Sequence, residues 1–476
     1  MRVLFPIGEC TPLAKVGGLG DIGGSLSKAL QQLGLTVEVI MPRYETVLSS
    51  GLVLEPAEFR FGVDWEGKHH LISVYTTVIP DSGVKVWLLE NEEYLSRGPI
   101  HFGSSALDES RQGFNRFSFF NLCIVEFLKK YREEYQVIHA HDWHTGLLFP
   151  LLKMSGIKIP TLFTVHNMYY QGCWDKSCLE DIRSLIEPYL YSSPRSGEQD
   201  KVNFLAQGLG LADAINTVSP TYAKEVLTPE FGEGLSPVIL GRPDGIAGIL
   251  NGIDLDFFNP ATDSFIAKNY NVASWREGKN ANKQAVCREL GWDESNVALA
   301  VMVARLGVQK GVEIVLEAFE HLLERPWRLV ILGIGDDYQE KLLTQFNRHH
   351  HGRFMGIARF DEPLAHRLYA AGDFFLAPSR FEPCGLTQMI AMRYGALPIA
   401  RATGGFLDTI QDGIDGFLFN NYSSEDLAVQ LDRALGIYRH DSNLYQAMVG
   451  GAMGRDFSWD QSAREYIKLY SDIIGD

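Results

Sequence analysis

The sequence predicts an α/β protein made of two Rossmann-like domains, each a parallel sheet wrapped by helices. Three observations carry that prediction. Short continuous apolar runs, the mark of strands buried on both faces, end at Gly, His, Asp, Asn or Pro. They alternate with amphipathic segments of helical period. The alternation runs through the first half of the 476 residues and then restarts in the second. A chain of this length is too long for one ordinary core.

The elements follow in order. Residues 3–7 read as a buried strand, 8–20 as a Gly-rich loop, and the next segment as a helix with Ile22, Leu26, Leu30 and Leu33 on its apolar face. Residues 36–41 then form a second strand and close a right-handed βαβ unit. Residues 52–89 alternate, as in His70-Leu71-Ile72-Ser73-Val74-Tyr75, and suggest local β structure. Residues 114–130 form an amphipathic helix. Residues 137–141, 162–166 and 214–218 are further strands, the last followed by the helix-start signal Ser219-Pro220-Thr221.

In the second half, residues 246–250 lead into a polar stretch, 260–282, that reads as a long loop. Strands are expected at 297–304, 328–332 and 374–377, and a helix at 312–323. The helical pattern at 459–474 has no place in the second sheet. The expected boundaries are therefore 1–245, 246–456 and 457–476, with a hinge near residues 243–248.

Composition narrows the function classes. Apolar content of 46% and charged content of 21% are those of a globular protein. A formal charge of −16 argues against nucleic acid or an anionic membrane as partner. No run reaches the ~18 apolar residues of a membrane span, and Pro6 and Gly8 break the N-terminal run too soon for a secretory signal. The six cysteines are scattered, with neither a disulfide framework nor zinc spacing. A cytoplasmic location is expected, and the triple His349-His350-His351 reads as a solvated helix end.

Four groups of residues can carry chemistry. In Lys15-Val16-Gly17-Gly18-Leu19-Gly20-Asp21, glycines admit close backbone approach, and the helix that follows offers N–H groups to an anion. The strand-end groups His139-Ala140-His141-Asp142-Trp143-His144 and Thr164-Val165-His166-Asn167 lack the ligand spacing of a zinc helix. Arg305 and Lys310, on a strand-to-helix loop, can clamp a diphosphate. Glu382 stands at the end of an apolar strand, before Pro383-Cys384-Gly385 and the helix start at Thr387.

Glu382-Pro383-Cys384-Gly385-Leu386-Thr387-Gln388 resembles the signature of bacterial glycogen synthases and plant starch synthases, and the likeness runs from Glu9 to Trp459. The segment from Lys15 to Asp21 is similar to the family's Lys-x-Gly-Gly-Leu-x-Asp motif, with Val16 where Thr is common in the bacterial enzymes. The resemblance implies the GT-B architecture, two Rossmann-like domains facing across a deep cleft. The N-terminal domain would take the acceptor glucan and the second the nucleotide sugar, with the C-terminal helix crossing back to the first.

It implies a retaining α-1,4-glucosyltransferase that moves glucose from ADP-glucose to the non-reducing end of a glucan, with no metal and no cofactor. The catalytic set is Glu382, His166, Arg305, Lys310 and Asp142. By the resemblance His166 holds the donor glucose, Asp142 lies near the acceptor hydroxyl, and Glu382 steadies positive charge at the anomeric carbon. Substrate contacts fall to Lys15, Gly17, Gly18, Asp21, Trp143, Asn167, Asn251, Phe360, Cys384, Gly385, Leu386 and Thr387. Phe360 takes the place where the family has a Tyr stacked on adenine, so stacking survives without the phenolic hydroxyl. Asp254-Leu255-Asp256 imitates the metal signature of another glycosyltransferase architecture.

The alternatives are the same fold with UDP-glucose or a small-sugar acceptor, and a non-catalytic glucan-binding homologue. A glycoside hydrolase would need two flanking carboxylates and would leave Arg305 and Lys310 without purpose. The oligomeric state stays open.

Overall fold

The computed structural model describes residues 1–102, 110–131, 135–180, 182–192, 200–294 and 297–475. The chain divides into two compact units, Met1–Asn251 with Trp459–Asp476, and Gly252–Ser458.

The first unit holds a nine-stranded sheet. Its strands are β1 (Arg2–Pro6), β2 (Thr36–Pro42), β3 (Glu55–Trp65), β4 (Lys68–Val78), β5 (Lys85–Glu90), β6 (Val137–His141), β7 (Thr161–Val165), β10 (Ala214–Thr217) and β11 (Ala247–Gly248). Their order is β11-β10-β7-β6-β1-β2-β5-β4-β3; all neighbours are parallel except β5-β4 and β4-β3. The strands β8 (Cys173–Asp175) and β9 (Lys201–Asn203) pair separately.

The alternating segment from residue 52 to 89 is thus an antiparallel extension of the main sheet. Its period-two pattern reflects one solvated face, whereas β1 beyond Arg2 and all of β6 are buried because helices cover both faces. One face buries Leu4, Ile40, Ile138 and Phe163 under the helix Arg111–Tyr131. The other buries Val3, Phe5, Val39 and Val137 under Gly18–Gln32 and the C-terminal helix Trp459–Ile474.

The second unit is a six-stranded, wholly parallel sheet. Its strands are β12 (Ala298–Val303), β13 (Trp327–Gly333), β14 (Phe354–Ala358), β15 (Phe374–Ala377), β16 (Leu397–Arg401) and β17 (Phe417–Phe419). They lie in the order β14-β13-β12-β15-β16-β17. Counted within the unit this is 3-2-1-4-5-6, the doubly wound order, with its switch point between β12 and β15. Six of the parallel strands of the first sheet, β5-β2-β1-β6-β7-β10, repeat that order, with the short β11 added beyond β10 and the switch point between β1 and β6. Crevices for ligands open at the carboxyl ends of strands at such points.

Two sequence expectations are corrected. The stretch 260–282 is not one long loop, because a helix begins at Trp275 and runs to Glu289. Its buried face carries Lys279, Asn282 and Lys283 beside Val286 and Cys287, so no apolar period announces it. Lys279 Nζ donates to the carbonyls of Tyr369, Ala370 and Tyr394, and Lys283 Nζ pairs with Asp373 at 2.5 Å. The first boundary also falls after Asn251 rather than after residue 245, since Ala247–Gly248 is an edge strand on β10.

The C-terminal helix belongs to the first unit. Trp459, Ala463, Tyr466 and Tyr470 enter its core, and Ser462 donates its hydroxyl to the Leu250 carbonyl. Among the described residues no helix is long and apolar enough to cross a membrane.

Candidate active site

In the first unit the loop after β1 carries Lys15, Gly17, Gly18 and Asp21. Lys15 Nζ pairs with Asp21 Oδ1 at 2.8 Å, both partly exposed, while Gly18 begins the helix Gly18–Gln32. Glu9, 3% exposed, accepts the backbone N–H of Val16 at 2.6 Å and of Gly17 at 3.0 Å. Those two amides are therefore occupied from within the loop. The anion-receptive N–H groups expected of the glycines begin at Gly18.

After β6, Asp142 sits at φ +57°, a backbone strain found mostly at functional positions. Its Oδ1 accepts the N–H of His166, at the end of β7, at 2.9 Å. Burial pushes the Asp142 carboxyl up to about 7, against the lowering effect of the His166 and Asn167 amides. His166 Nε2 lies 3.1 Å from His141 Nδ1, and burial lowers His166 to about 3. Burial likewise holds His139, His141 and His144 well below the ordinary imidazole range. This is a set of neutral imidazoles around one protonatable carboxyl, suited to hydrogen-bonding hydroxyls rather than to neutralising phosphate.

His139 has a structural assignment. The Thr164 hydroxyl donates to Asn216 Oδ1 at 2.6 Å, so His139 Nε2–H must donate to Thr164 Oγ1, also at 2.6 Å. Nδ1 then accepts from the Tyr470 hydroxyl at 2.7 Å. Asn216 Nδ2 donates to Tyr466 at 3.0 Å, which ties the network to the C-terminal helix.

Trp143 corrects an expectation. Only 2% exposed, its ring stacks on His144 with centroids 4.1 Å apart and meets Phe117 and Trp174 edge-on or tilted. It is part of the core, not a platform for substrate. Asn167 is half-buried, and its Oδ1 accepts the Tyr169 N–H. Asn251 is buried at the end of the first unit, and its Oδ1 has no hydrogen-bond partner among the described residues.

In the second unit the loops after β12 and β15 meet across the switch point. Lys310 Nζ contacts Glu382 Oε2 at 2.6 Å, and Ser379 Oγ donates to the same oxygen at 2.8 Å. Gln309 locks the two loops together: its carbonyl accepts the Arg380 N–H and its amide donates to the Phe381 carbonyl. Arg305 lies exposed on the same loop as Lys310.

Gly385, at φ +72°, turns the chain after Cys384 into the helix Thr387–Arg393; Leu386 precedes that helix and, like Thr387, is half-buried. Gln388 Nε2 fastens this turn by donating to the carbonyls of Cys384 and Gly385. On the loop after β14, the Phe360 ring is 71% exposed, beside an Arg359–Asp361 ion pair.

Asp254 Oδ1 accepts the N–H groups of Asp256 and Phe257, so the Asp-x-Asp segment is a capped turn. His349 ends the helix Asp337–His349, and His350 bonds Glu320. Sequence reasoning gave no role to Glu9, Ser379 or Gln388. A carboxylate that serves backbone amides leaves no periodic trace, though a turn rich in unpaired N–H groups demands an acceptor.

Two doubly wound units, one with a Lys–Glu pair and the other with neutral hydrogen-bonding side chains at the switch point, define a glycosyltransferase of the GT-B fold. The description "Starch synthase catalytic domain" matches residues 2–240, and "Glycosyl transferases group 1" matches residues 290–448. The glycogen synthase of Geobacillus thermodenitrificans is 37% identical over 491 residues, covering all of this chain and 98% of the relative. That of Bacillus subtilis is 35% identical, covering 99% and 98%. The catalytic domain of starch synthase IV from Arabidopsis thaliana, solved with ADP and acarbose, superposes with a TM-score of 0.90 at 33% identity, over 100% of this chain and 99% of that one. A sucrose-phosphate synthase from Thermosynechococcus elongatus, at 17% identity and a TM-score of 0.60, shares the fold. The chain belongs to the glycogen and starch synthase family, and it is a glucosyltransferase.

Proposed function

We propose that the enzyme transfers glucose from ADP-glucose to the non-reducing end of an α-1,4-glucan, with retention of configuration and without a metal ion. The observation that carries this reading is the Lys310–Glu382 pair at the second unit's switch point. The ammonium can keep one hydrogen on Glu382 and offer the others to a phosphate oxygen, with Arg305 on the same loop as the second cation. Neutralising the diphosphate as the glycosyl–oxygen bond lengthens is work that this pair of cations can do. Glu382, steadied by Lys310 and Ser379, supplies negative charge for the anomeric carbon.

His166 and Asp142 serve the transferred glucose and the acceptor hydroxyl. The departing phosphate oxygen takes the acceptor proton on the face that the nucleotide leaves. The relative solved with ADP and acarbose supports this choice of nucleotide and of sugar polymer.

The exposed Phe360 favours a second reading, the same chemistry with UDP-glucose, because a phenyl ring stacks on either base and lacks the phenolic hydrogen bond. The test is incorporation of labelled glucose into glycogen from each donor in excess chelator. Chelator-resistant incorporation from ADP-glucose is expected. A preference for UDP-glucose replaces the donor, and loss of activity on chelation overturns the metal-free mechanism. Incorporation from neither donor turns the reading toward a small-sugar acceptor or a non-catalytic homologue.

A further inference from the structure

We propose that Glu9 is the positioning residue of the Lys15–Asp21 loop, acting through two backbone amides and not by contact with substrate. The inference rests on the reading of that loop as a substrate-binding element. A carboxylate only 3% exposed is costly to bury unless hydrogen bonds compensate it. Here one oxygen takes both the Val16 and Gly17 N–H groups, and the other lies 3.1 Å from His101 Nε2.

Between Lys15 and the helix start at Gly18 the chain gains little from side-chain packing, and the Lys15–Asp21 ion pair is partly exposed. Val16 is an exposed apolar residue, and Gly17 and Gly18 have no side chains to pack. Its remaining backbone ties are local: Thr11 N–H to Gly20, Cys10 N–H to Ala14 and Gly20 N–H to Gly17. The carboxylate thus replaces the packing that the glycines forgo. It fixes the peptide planes on either side of Val16, between Lys15 and the helix start at Gly18.

The backbone of Glu9 is fixed in turn. A Cβ on Gly23 would stand 2.7 Å from the Glu9 carbonyl oxygen, so the helix Gly18–Gln32 packs directly against that peptide. The loop is therefore pre-organised for its ligand, and pre-organisation appears as affinity.

The experiment measures kcat, KM for the nucleotide sugar and thermal midpoint in Glu9→Ala, Glu9→Asp, Glu9→Gln and Lys15→Ala. Glu9→Asp keeps the charge but is one methylene too short to reach both amides, and is the variant to rely on where Glu9→Ala does not fold. Both are expected to raise KM roughly tenfold, the loss of about one ordinary hydrogen bond's worth of ordering, with a smaller change in kcat. Glu9→Gln should stay within about threefold of the parent, since its amide oxygen accepts both N–H groups.

Glu9→Asp with the parent's KM, or Glu9→Gln as impaired as Glu9→Asp, overturns the proposal. So does a fall in thermal midpoint with no change in KM. A parental KM in Lys15→Ala removes the substrate-binding reading of the loop instead, a failure that the Glu9 variants cannot mimic.

Discussion

The two units treat their buried ionisable groups in opposite ways. The second gives them partners: Lys310 with Glu382, Lys283 with Asp373, and Lys279, which burial lowers to about 7, with three helix-end carbonyls. The strand-end cluster of the first is instead largely neutral, although the Glu9 carboxylate is held by backbone amides and Glu38 pairs with Arg2. His139, His141, His144 and His166 are held deprotonated by burial, and Asp142 is raised to about 7. Charge organised in pairs suits a polyanionic diphosphate, whereas neutral donors and acceptors in a dry setting suit sugar hydroxyls. The proposed division of labour between nucleotide and glucan would follow this difference in electrostatics.

The comparison breaks most sharply at Glu382. Glu382→Ala removes the carboxylate proposed to face the anomeric carbon and takes from Lys310 its partner at 2.6 Å. Turnover should fall by on the order of 10³-fold or more while the folded spectrum stays that of the parent. A folded variant with near-parental turnover would remove Glu382 from the mechanism and leave the Lys310 pair merely structural.

Away from the site, Lys283→Met tests whether the second unit depends on pairing. It strands Asp373, which is buried and also accepts the Leu299 N–H, so a loss of about 3–5 kcal/mol is expected in urea denaturation. Adding Asp373→Asn should recover part of it, because the amide oxygen still accepts from Leu299 and no charge remains buried. A double variant no better than the single one would show that packing, not the unpaired charge, sets the cost.

The same contrast explains what was legible in the sequence. Strands β1, β6 and β15 were readable because parallel strands covered on both faces carry mostly apolar residues, broken here only by Arg2, His139 and His141. The helix Trp275–Glu289 was not, because its inward face is built from Lys279 and Lys283, whose charges are answered by carbonyls and a carboxylate distant in sequence. Glu382 and Lys310 could be named singly from the motif and the loop, but their contact is a property of the switch point. Trp143 was misassigned since sequence gives an aromatic at a strand end no sign of which way it faces. Glu9 escaped for a related reason: its partners are backbone amides, which every residue but proline carries.

Protonation offers a finer test of the first unit. Asp142 has a folded pKa above its unfolded one, so the native state holds the extra proton between roughly the ordinary carboxylate value and 7. Its contribution to stability therefore declines as pH rises through that window and is a net cost above 7. If the acceptor hydroxyl donates to Asp142 as proposed, the ionised carboxylate is the stronger hydrogen-bond acceptor, and the rate should climb through about pH 7. His166, lowered to about 3, adds no inflection between pH 5 and 8. Asp142→Asn should flatten both the rate profile and the pH dependence of the thermal midpoint. A variant that keeps the parental inflection near 7 would assign the titration to another group.

The smallest effect belongs to the neutral network, and it bounds the comparison from below. Tyr470→Phe takes the donor from His139 Nδ1 without removing ring volume or charge. The stranded acceptor is a neutral imidazole nitrogen, so the cost should be about 1–3 kcal/mol in urea denaturation, below that of Lys283→Met. Tyr466 on the same helix stays bonded to Asn216 of β10, so the C-terminal segment remains docked and turnover changes little. A loss as large as that of the broken ion pair would mean that His139 is charged in the native state. The first unit would then, like the second, be organised by paired charge.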